Sequence, residues 1–259
     1  MINRFSKTIW LVLVMVLAVT GCRQEYKVDE EALAYEPDVE TIAVTNDYAP
    51  RAIGATGGYR AWMKAVKLRG DCVVTFYRPD GSFYLTEQQH EIYPWSDSIR
   101  ILAREPQGKF VWQLSGNNFS VSEGAERVDT LPVKVCQRYL AEVILDITTA
   151  PVRLLDSEAR FTERPGPVKM EGLWYYPVER TSSDAESYWT KVVFYQNKEN
   201  FLVDMLWFAG ADEKRFLAVR GYDYREVEEN GVLLPAKIEI FRTDARGILQ
   251  ERLVKIDYK

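Results

Sequence analysis

Short segments in which apolar and polar residues alternate fill most of the sequence after residue 71, with turn residues between them. A period of two places successive side chains on opposite faces, so each segment predicts a half-buried β-strand. Pro79-Asp80-Gly81 and Asn230-Gly231 are typical of hairpin turns, and the second favours a type I′ turn with positive φ at both residues. The pattern predicts an antiparallel sheet. Strands are expected at residues 72–77, 82–93, 98–104, 109–114, 119–123, 168–176, 187–195, 201–208, 215–227, 232–242 and 248–258.

In two other segments the apolar residues recur at three- and four-residue steps, which is the spacing of an amphipathic helix rather than of a strand. The first spans residues 55–67, includes Trp62 on its apolar face and is ended by Gly70. The second has Pro132 in its first turn and should end before Pro151, because the residue before a proline disfavours helical geometry.

The order of these elements shows no alternation of strands with helices, which excludes a parallel α/β sheet. A wide antiparallel sheet must close or be covered, because open edges and a bare apolar face favour aggregation. We therefore predict a mainly β (α+β) domain over residues 51–259. Its fold class would be a single large curved antiparallel sheet, an incomplete barrel of about eleven strands covered by two or more helices.

The first twenty-two residues have the organisation of an export signal. Arg4 and Lys7 precede an apolar run at residues 9–19 that is too short to span a membrane as a helix. The following Val19-Thr20-Gly21-Cys22 resembles the bacterial lipobox. The resemblance implies a signal peptide at residues 1–21 and acyl chains such as palmitate on Cys22. A signal peptide with a chance cysteine and an uncleaved anchor are the alternatives.

Residues 22–50 are acidic and lack a sustained apolar period, so they predict a flexible tether. An added strand at residues 41–45 is the alternative. Two or more acyl chains would give lasting membrane attachment. Arg23, rather than aspartate, follows the cysteine, which in families with a lipoprotein sorting system favours the outer membrane. The expected location is the bacterial cell envelope, lipid-anchored at the outer membrane and facing the periplasm.

The overall charge argues against two kinds of partner. The formal net charge of the chain is −5, and removal of Arg4 and Lys7 with the signal peptide makes it more negative. Without a long basic run there is no electrostatic footprint for nucleic acid. Nor is there a polybasic patch to reinforce the lipid anchor.

Residues able to support catalysis are sparse. His90 is the only histidine, no nucleophile-elbow sequence accompanies it, and we expect it on an exposed strand face. A single histidine with Cys72 and Cys136 cannot complete a typical zinc site. The glutamates at 226–229 are explained by a solvated hairpin end, although an acid–base pair of carboxylates remains the enzymatic alternative. We predict no catalytic residue, no metal, no cofactor and no enzymatic activity.

The arrangement resembles that of the bacterial lipoprotein-localisation factors (LolA/LolB-like proteins) over residues 53–259. Three features carry the resemblance: Gly57-Gly58…Trp62 before the first strand, the turn Arg78-Pro79-Asp80-Gly81, and the closing pattern Asn230-Gly231-Val232-Leu233-Leu234-Pro235…Ile238…Asp244…Gly247. That family's fold is an incomplete barrel of about eleven strands with helices as a lid over an apolar cavity. The resemblance implies binding of a lipid or lipoprotein acyl chain and a role in lipoprotein or lipid sorting.

Aromatic residues within the predicted strands are the candidates for lining such a cavity. The alternative is a filled core, since aromatic side chains suit half-buried strands. Two functions therefore stay open: a lipid-binding lipoprotein, or a structural assembly lipoprotein with a filled interior that binds another envelope protein. The candidate lining residues are Trp112, Trp174, Tyr176, Trp189 and Trp207.

Cys72 and Cys136 could point into one layer of the core. Cys72 alternates in phase with Val74 and Phe76, and Cys136 lies on the apolar stripe of the second helix. A disulfide between them is possible in an oxidising compartment. Two separate buried thiols are favoured, because Cα atoms more than about 7 Å apart cannot be bridged.

Overall fold

The computed structural model describes residues 47–105, 108–122, 131–157, 159–164, 166–181, 188–210 and 215–259, with the backbone alone for 105 and 131–136. The predicted signal peptide, Cys22 and most of the predicted tether lie outside these residues. The side chain of Cys136 does as well. No helix within the described ranges is both long and apolar enough to cross a membrane.

The described residues form one antiparallel sheet of thirteen strands, which is the body of the domain. The first five strands are β1 (Leu68–Tyr77), β2 (Phe83–Tyr93), β3 (Ser98–Glu105), β4 (Gly108–Ser115) and β5 (Asn118–Ser122). The others are β6 (Arg160–Glu163), β7 (Val168–Met170), β8 (Leu173–Thr181), β9 (Trp189–Asn197), β10 (Val203–Gly210), β11 (Phe216–Glu226), β12 (Leu233–Thr243) and β13 (Leu249–Tyr258).

The strand order is β5-β4-β3-β2-β1-β13-β12-β11-β10-β9-β8-β6, with β7 paired to β8. Each half is a meander of neighbouring strands, and the halves join where β1 pairs with β13, Cys72 opposite Tyr258. The sheet is open, with β5 and β6 at its ends. The predicted fold class, a large antiparallel sheet forming an incomplete barrel with helices, is confirmed.

Two additional strands arise from local features that the alternation pattern does not reveal. The segment predicted as one strand at 168–176 is a hairpin, because Glu171 and Gly172 adopt positive φ values of 48° and 89°. This is the pairing that a type I′ turn requires. β6 is short and largely polar, so it gave no sequence signal.

The turn at Asn230-Gly231 differs from the predicted type I′ geometry. Gly231 has a φ of 79°, whereas Asn230 has no positive φ. The Val227 N–H donates to the Val232 carbonyl at 2.8 Å, so four residues form the loop. The Asn230 side chain accepts from the Val232 N–H at 3.0 Å, which closes the loop without a left-handed asparagine.

In the part of the chain that the structure describes, four helices accompany the sheet: α1 (Tyr48–Ala55), α2 (Tyr59–Lys64), α3 (Leu131–Thr148) and α4 (Ala150–Arg153). α1 begins inside the segment predicted as a tether. Its Ala49, Ala52 and Ile53 are fully buried, and the Gln196 side chain of β9 donates to the Tyr48 carbonyl at 3.0 Å. α3 ends before Pro151, as predicted.

The prediction of a single helix at 55–67 is wrong, because a non-helical junction at Gly57 and Gly58 separates α1 from α2. Gly57 has a φ of 109°, and a Cβ there would lie 2.3 Å from the Gly231 carbonyl oxygen. The break lets the β11–β12 loop pack directly on the backbone. The Leu233 N–H also donates to the Thr56 carbonyl at 3.1 Å, which fixes this junction.

Apolar residues occupy both faces of the sheet. The larger cluster lies between the helices and the inner face and includes Trp62, Trp112 and Val143. A second, smaller cluster lies on the outer face of β8–β11, where the β7–β8 hairpin packs against it. Its buried members are Tyr175, Val193, Tyr195, Met205, Trp207, Ala209 and Ala218.

Candidate ligand-binding cavity

An apolar cavity of about 460 Å³ lies between α3 and the inner face of the sheet. Strands from both halves contribute to its walls: β1, β2 and β4 from the first half, and β11, β12 and β13 from the second. Among the described lining residues, only Arg78 and Gln137 are neither apolar nor aromatic. The lining residues are Phe76, Tyr77, Arg78, Tyr84, Trp112, Gln137, Tyr139, Leu140, Val143, Leu217, Ile240, Leu253 and Val254.

Stacked aromatic side chains form part of the cavity wall next to the β1–β2 turn. The rings of Phe76 and Tyr84 stack at 4.8 Å, and the Arg78 guanidinium lies 5.3 Å from the centre of the Tyr84 ring. The neighbouring Phe83 and Leu85 are 61% and 54% exposed. By alternation along β2, these two side chains lie on the face opposite to that of Tyr84.

A second aromatic group includes Tyr139 of α3, which also lines the cavity. Tyr139 stacks on Tyr188 with 3.5 Å between ring centres, and Arg215 donates to the Tyr139 hydroxyl at 2.6 Å. The Arg215 guanidinium lies 4.9 Å from the centre of the Tyr188 ring. These contacts join α3 to the segments that precede β9 and β11.

A buried cluster of charges fixes α3 and α4 against the sheet. The Asp146 carboxylate of α3 pairs with Arg153 of α4 at 3.0 Å and with Arg180 of β8 at 3.0 Å. Arg153 also pairs with Asp97 of the β2–β3 turn. Although burial opposes the charge of Arg153, the two aspartates raise its pKa. These ion pairs join α3 and α4 to β8 and to the β2–β3 turn.

Of the five aromatic residues predicted to line a cavity, only Trp112 lines this one. Trp189 belongs to the same inner-face cluster but lies beside the charge cluster. Tyr176 lies 6.2 Å from the ring of Tyr48 in α1. Trp174 is 45% exposed, and the Lys169 ammonium lies 5.9 Å from its ring.

Trp207 lies on the opposite face of the sheet, in the outer cluster. Its indole donates to Thr243 at 3.1 Å, and its ring stacks on Phe216 at 5.6 Å. Alternation separates Trp207 from Leu206 and Phe208, but it does not indicate which face the helices cover. Gln137, in contrast, lines the cavity and was not singled out, because a glutamine beside an apolar stripe resembles a solvated residue.

His90 is fully buried on the inner face, so the expectation of an exposed strand histidine is wrong. Its Nε2 lies 2.9 Å from Gln88 Oε1, which can only accept, so Nε2 carries the proton. The Tyr258 hydroxyl then donates to Nδ1 at 2.7 Å. Burial lowers the pKa of His90 to about 3, so the imidazole is neutral at physiological pH.

The Cys72 sulfur lies 3.5 Å from His90 Nε2, a separation that raises the question of a catalytic pair. Cys72 is a buried free thiol, and burial raises its pKa to about 12. A nucleophilic cysteine requires a lowered pKa and access to substrate. The pair is therefore two neutral groups within the core. The described residues also include no group of three or more His, Cys, Asp or Glu side chains that could hold a metal ion.

Two solved structures have a similar fold over most of this chain. A LolA superfamily protein from Nitrosomonas europaea aligns over 84% of this chain and 92% of its own, with 14% identity and a TM-score of 0.57. A Vibrio parahaemolyticus domain assigned to outer membrane lipoprotein sorting aligns over 82% and 89%, with 9% identity and a TM-score of 0.52. Neither a protein-family model nor a curated protein matches the sequence. The fold of the chain is LolA-like.

Proposed function

We propose that the protein is a membrane-anchored bacterial envelope lipoprotein that binds an acyl chain or another hydrophobic ligand between α3 and the sheet. The observation that carries this proposal is the apolar cavity of about 460 Å³. Ligand sites in proteins commonly measure about 300–1,000 Å³ and have mostly apolar walls. Burial of each methylene contributes about 0.8 kcal/mol, so an acyl chain can bind there without a charged partner.

The cavity favours ligand binding over the alternative of an assembly protein with a filled interior. A filled interior would place side chains in the space between Val143 of α3 and Ile240 of β12, and both residues line the cavity instead. The chemistry of Cys72 and His90 supports a binding role, because neither group is activated for catalysis.

The LolA-like fold supports a role in lipoprotein or lipid sorting. Proteins of the same architecture include a domain assigned to outer membrane lipoprotein sorting. Within the proposal, Cys22 carries the lipid anchor and residues up to the start of α1 connect it to the domain. The protein would then face the periplasm from the outer membrane, with the cavity available to lipid or to a lipoprotein acyl chain.

Filling the cavity tests the proposal directly. Leu217 lines the cavity, whereas Leu249 is similarly half-buried beside the outer cluster. Leu217→Trp should weaken binding of the apolar dye N-phenyl-1-naphthylamine roughly tenfold, since losing two buried methylenes of contact costs about 1.6 kcal/mol. Leu249→Trp is the matched control and should bind the dye as the parent does.

The same variants can be compared for lipid that co-purifies with the protein, measured by mass spectrometry after extraction. The parent and Leu249→Trp should retain acyl lipid, and Leu217→Trp should retain less. Equal dye binding and equal lipid content in all three proteins would refute the assignment of the ligand to this cavity.

A further inference from the structure

The most exposed part of the cavity wall lies beside the β1–β2 turn. Arg78 and Tyr84 are exposed, whereas the other described lining residues are buried or half-buried. A ligand with a polar group would therefore keep that group hydrated at this end. Its apolar part would lie against the buried lining, which includes Val143, Ile240 and Val254.

Positive charge borders the aromatic part of the wall. Each tyrosine among the described lining residues has an arginine guanidinium near the face of its ring. The distances from guanidinium carbon to ring centre are 5.3 Å for Arg78 and Tyr84, 4.6 Å for Arg252 and Tyr77, and 6.0 Å for Arg215 and Tyr139. Two of these arginines also have polar partners in the protein: Arg252 pairs with Glu239 at 2.7 Å, and Arg215 donates to the Tyr139 hydroxyl.

Arg78 differs from the other two because it lines the cavity itself and forms no salt bridge within the described ranges of the chain. The nearest acidic residue in the turn, Asp80, directs its carboxylate to Ser82 instead. The Ser82 N–H and hydroxyl donate to Asp80 Oδ1 at 2.9 and 2.6 Å. The Tyr84 ring supports the guanidinium, and its planar array of donors matches a carboxylate or phosphate.

We propose that the cavity binds an amphiphile with an anionic head group, whose carboxylate or phosphate oxygens accept hydrogen bonds from Arg78 at the exposed end. Arg78 is then the residue that determines head-group specificity, and Tyr84 positions it. The alkyl chain lies between α3 and the sheet. This inference rests on the proposed function, and it adds the chemical class of the head group.

The charges of the lining favour an anionic head group over a cationic one. No aspartate or glutamate is among the described residues of the lining, so a cationic group would have no carboxylate to pair with and would face Arg78. An anionic group cannot move deeper, because burial of an unpaired charge in the apolar interior is costly. The alkyl chain contributes affinity by burial, and the head group fixes its direction.

The test uses the full chain at pH 8 and four probes with a twelve-carbon chain. Two are anionic: dodecanoate, and a lysophosphatidylglycerol with a dodecanoyl chain. The third, 1-dodecanol, is neutral, and the fourth, dodecyltrimethylammonium, is cationic. Each probe competes with N-phenyl-1-naphthylamine below the concentration at which it forms micelles. Because every variant contains the same apolar N-terminal run, any binding by that run is common to all of them.

The parent should bind both anions more tightly than the cation. Arg78→Gln should reduce the affinity for the anions relative to 1-dodecanol by roughly three- to tenfold, since the lost pair is charged but partly exposed to water. Arg78→Glu should in addition raise the affinity for the cation relative to 1-dodecanol. Arg78 is exposed in a turn, so both variants should keep the melting temperature of the parent within a few degrees.

Arg246→Gln is the matched control. Arg246 lies in the β12–β13 turn, its side chain is 78% exposed, and it is not among the lining residues. The substitution changes the net charge by the same amount and should leave every probe ratio unchanged. Whether dodecanoate or the lysophospholipid loses more affinity in Arg78→Gln distinguishes a free fatty acid from a phospholipid as the source of the head group.

Three results would overturn the inference: an unchanged ratio of anions to 1-dodecanol in Arg78→Gln, the same change in Arg246→Gln, or binding of the cation by the parent at least as tight as that of both anions. The failure of all four probes to displace the dye, or of the dye to bind, would instead overturn the proposed function. The two failures are therefore distinguishable.

Discussion

The carboxyl group of Asp204 on β10 is largely buried, so water cannot fully solvate it. Burial raises its pKa to about 6, although the side chains of Asn197 and Tyr175 partly oppose that shift by hydrogen bonding. The pKa in the folded state thus exceeds the usual aspartate value of 3.8. Protonation of Asp204 stabilises the fold, and this stabilisation is complete below about pH 4 and is lost as the pH rises through about 6.

Asp204→Asn should remove this pH dependence because asparagine stays neutral. The unfolding free energy of the variant minus that of the parent should therefore be up to about 2 kcal/mol larger at pH 7.5 than at pH 4.5. Urea unfolding of both proteins at the two pH values measures this difference. A stability difference that is the same at both pH values would show that the Asp204 carboxyl is well solvated.

Gly57 offers a second test at a single residue. A side chain there would collide with the Gly231 carbonyl and would have to adopt a φ of 109°. Gly57→Ala should therefore destabilise the protein by about 2–3 kcal/mol. Gly54→Ala, inside α1 with nothing within 4 Å of the new Cβ, should instead stabilise it by roughly 0.5–1 kcal/mol.

Chemical denaturation of the two glycine variants decides whether the α1–α2 break is required by the packing of the β11–β12 loop. Opposite signs for the two substitutions support that explanation. If both variants were stabilised, the break would be a flexible joint that helix propensity can override.

At the scale of elements, the position of α3 depends on its charge cluster. Asp146→Ala would leave Arg153 and Arg180 buried without their shared carboxylate, which should destabilise the fold by about 3 kcal/mol or more. Glu87→Ala is the control, since its ion pair with Arg104 is exposed on both sides and should contribute less than about 1 kcal/mol. Thermal unfolding of both variants and of the parent measures the two losses of stability.

The affinity for N-phenyl-1-naphthylamine, the dye proposed to bind in the cavity, provides a second readout for Asp146→Ala. Because the cluster holds α3 over the sheet, loss of the carboxylate should also weaken dye binding at a temperature where the variant remains folded. Unchanged dye affinity together with lowered stability would mean that the cluster supports the fold without setting the cavity.

Most strands and the long helix could be predicted from the sequence, because their signals are local: alternation, turn residues and the two prolines around α3. The elements that were predicted incorrectly depend on contacts between residues far apart in the sequence or on unusual backbone conformation. The break at Gly57 follows from the approach of the β11–β12 loop, far away in the sequence. The hairpin at Glu171-Gly172 requires positive φ at a glutamate, which residue preference does not suggest.

At the scale of the whole molecule, the sequence predicts a covered open sheet but not which side chains meet under the cover. Trp112 and Trp207 both lie in alternating strands, yet only Trp112 faces α3. The outer cluster makes the two faces of β8–β11 similar in apolarity. Alternation therefore cannot show which face the helices cover. The cavity residues could be identified only from the packing of α3.

The membrane anchor is a property of the whole protein and stays a prediction. Replacement of Cys22 by Ser should prevent lipidation and leave an unprocessed precursor, if Val19-Thr20-Gly21-Cys22 acts as a lipobox. Cell fractionation should find the parent in the detergent-extracted membrane fraction and the variant depleted from it. A variant that still remains with membranes after a salt wash would require another mode of attachment.

The pairing of β1 with β13 has a consequence for the order in which the protein can fold. Hairpins within each half can form as soon as their strands are synthesised, but β1 keeps an unpaired edge until the last strand is available. Joining such distant strands makes the final step slow, because a long loop must close first. A chain that cannot complete its sheet early would therefore remain unfolded for longer.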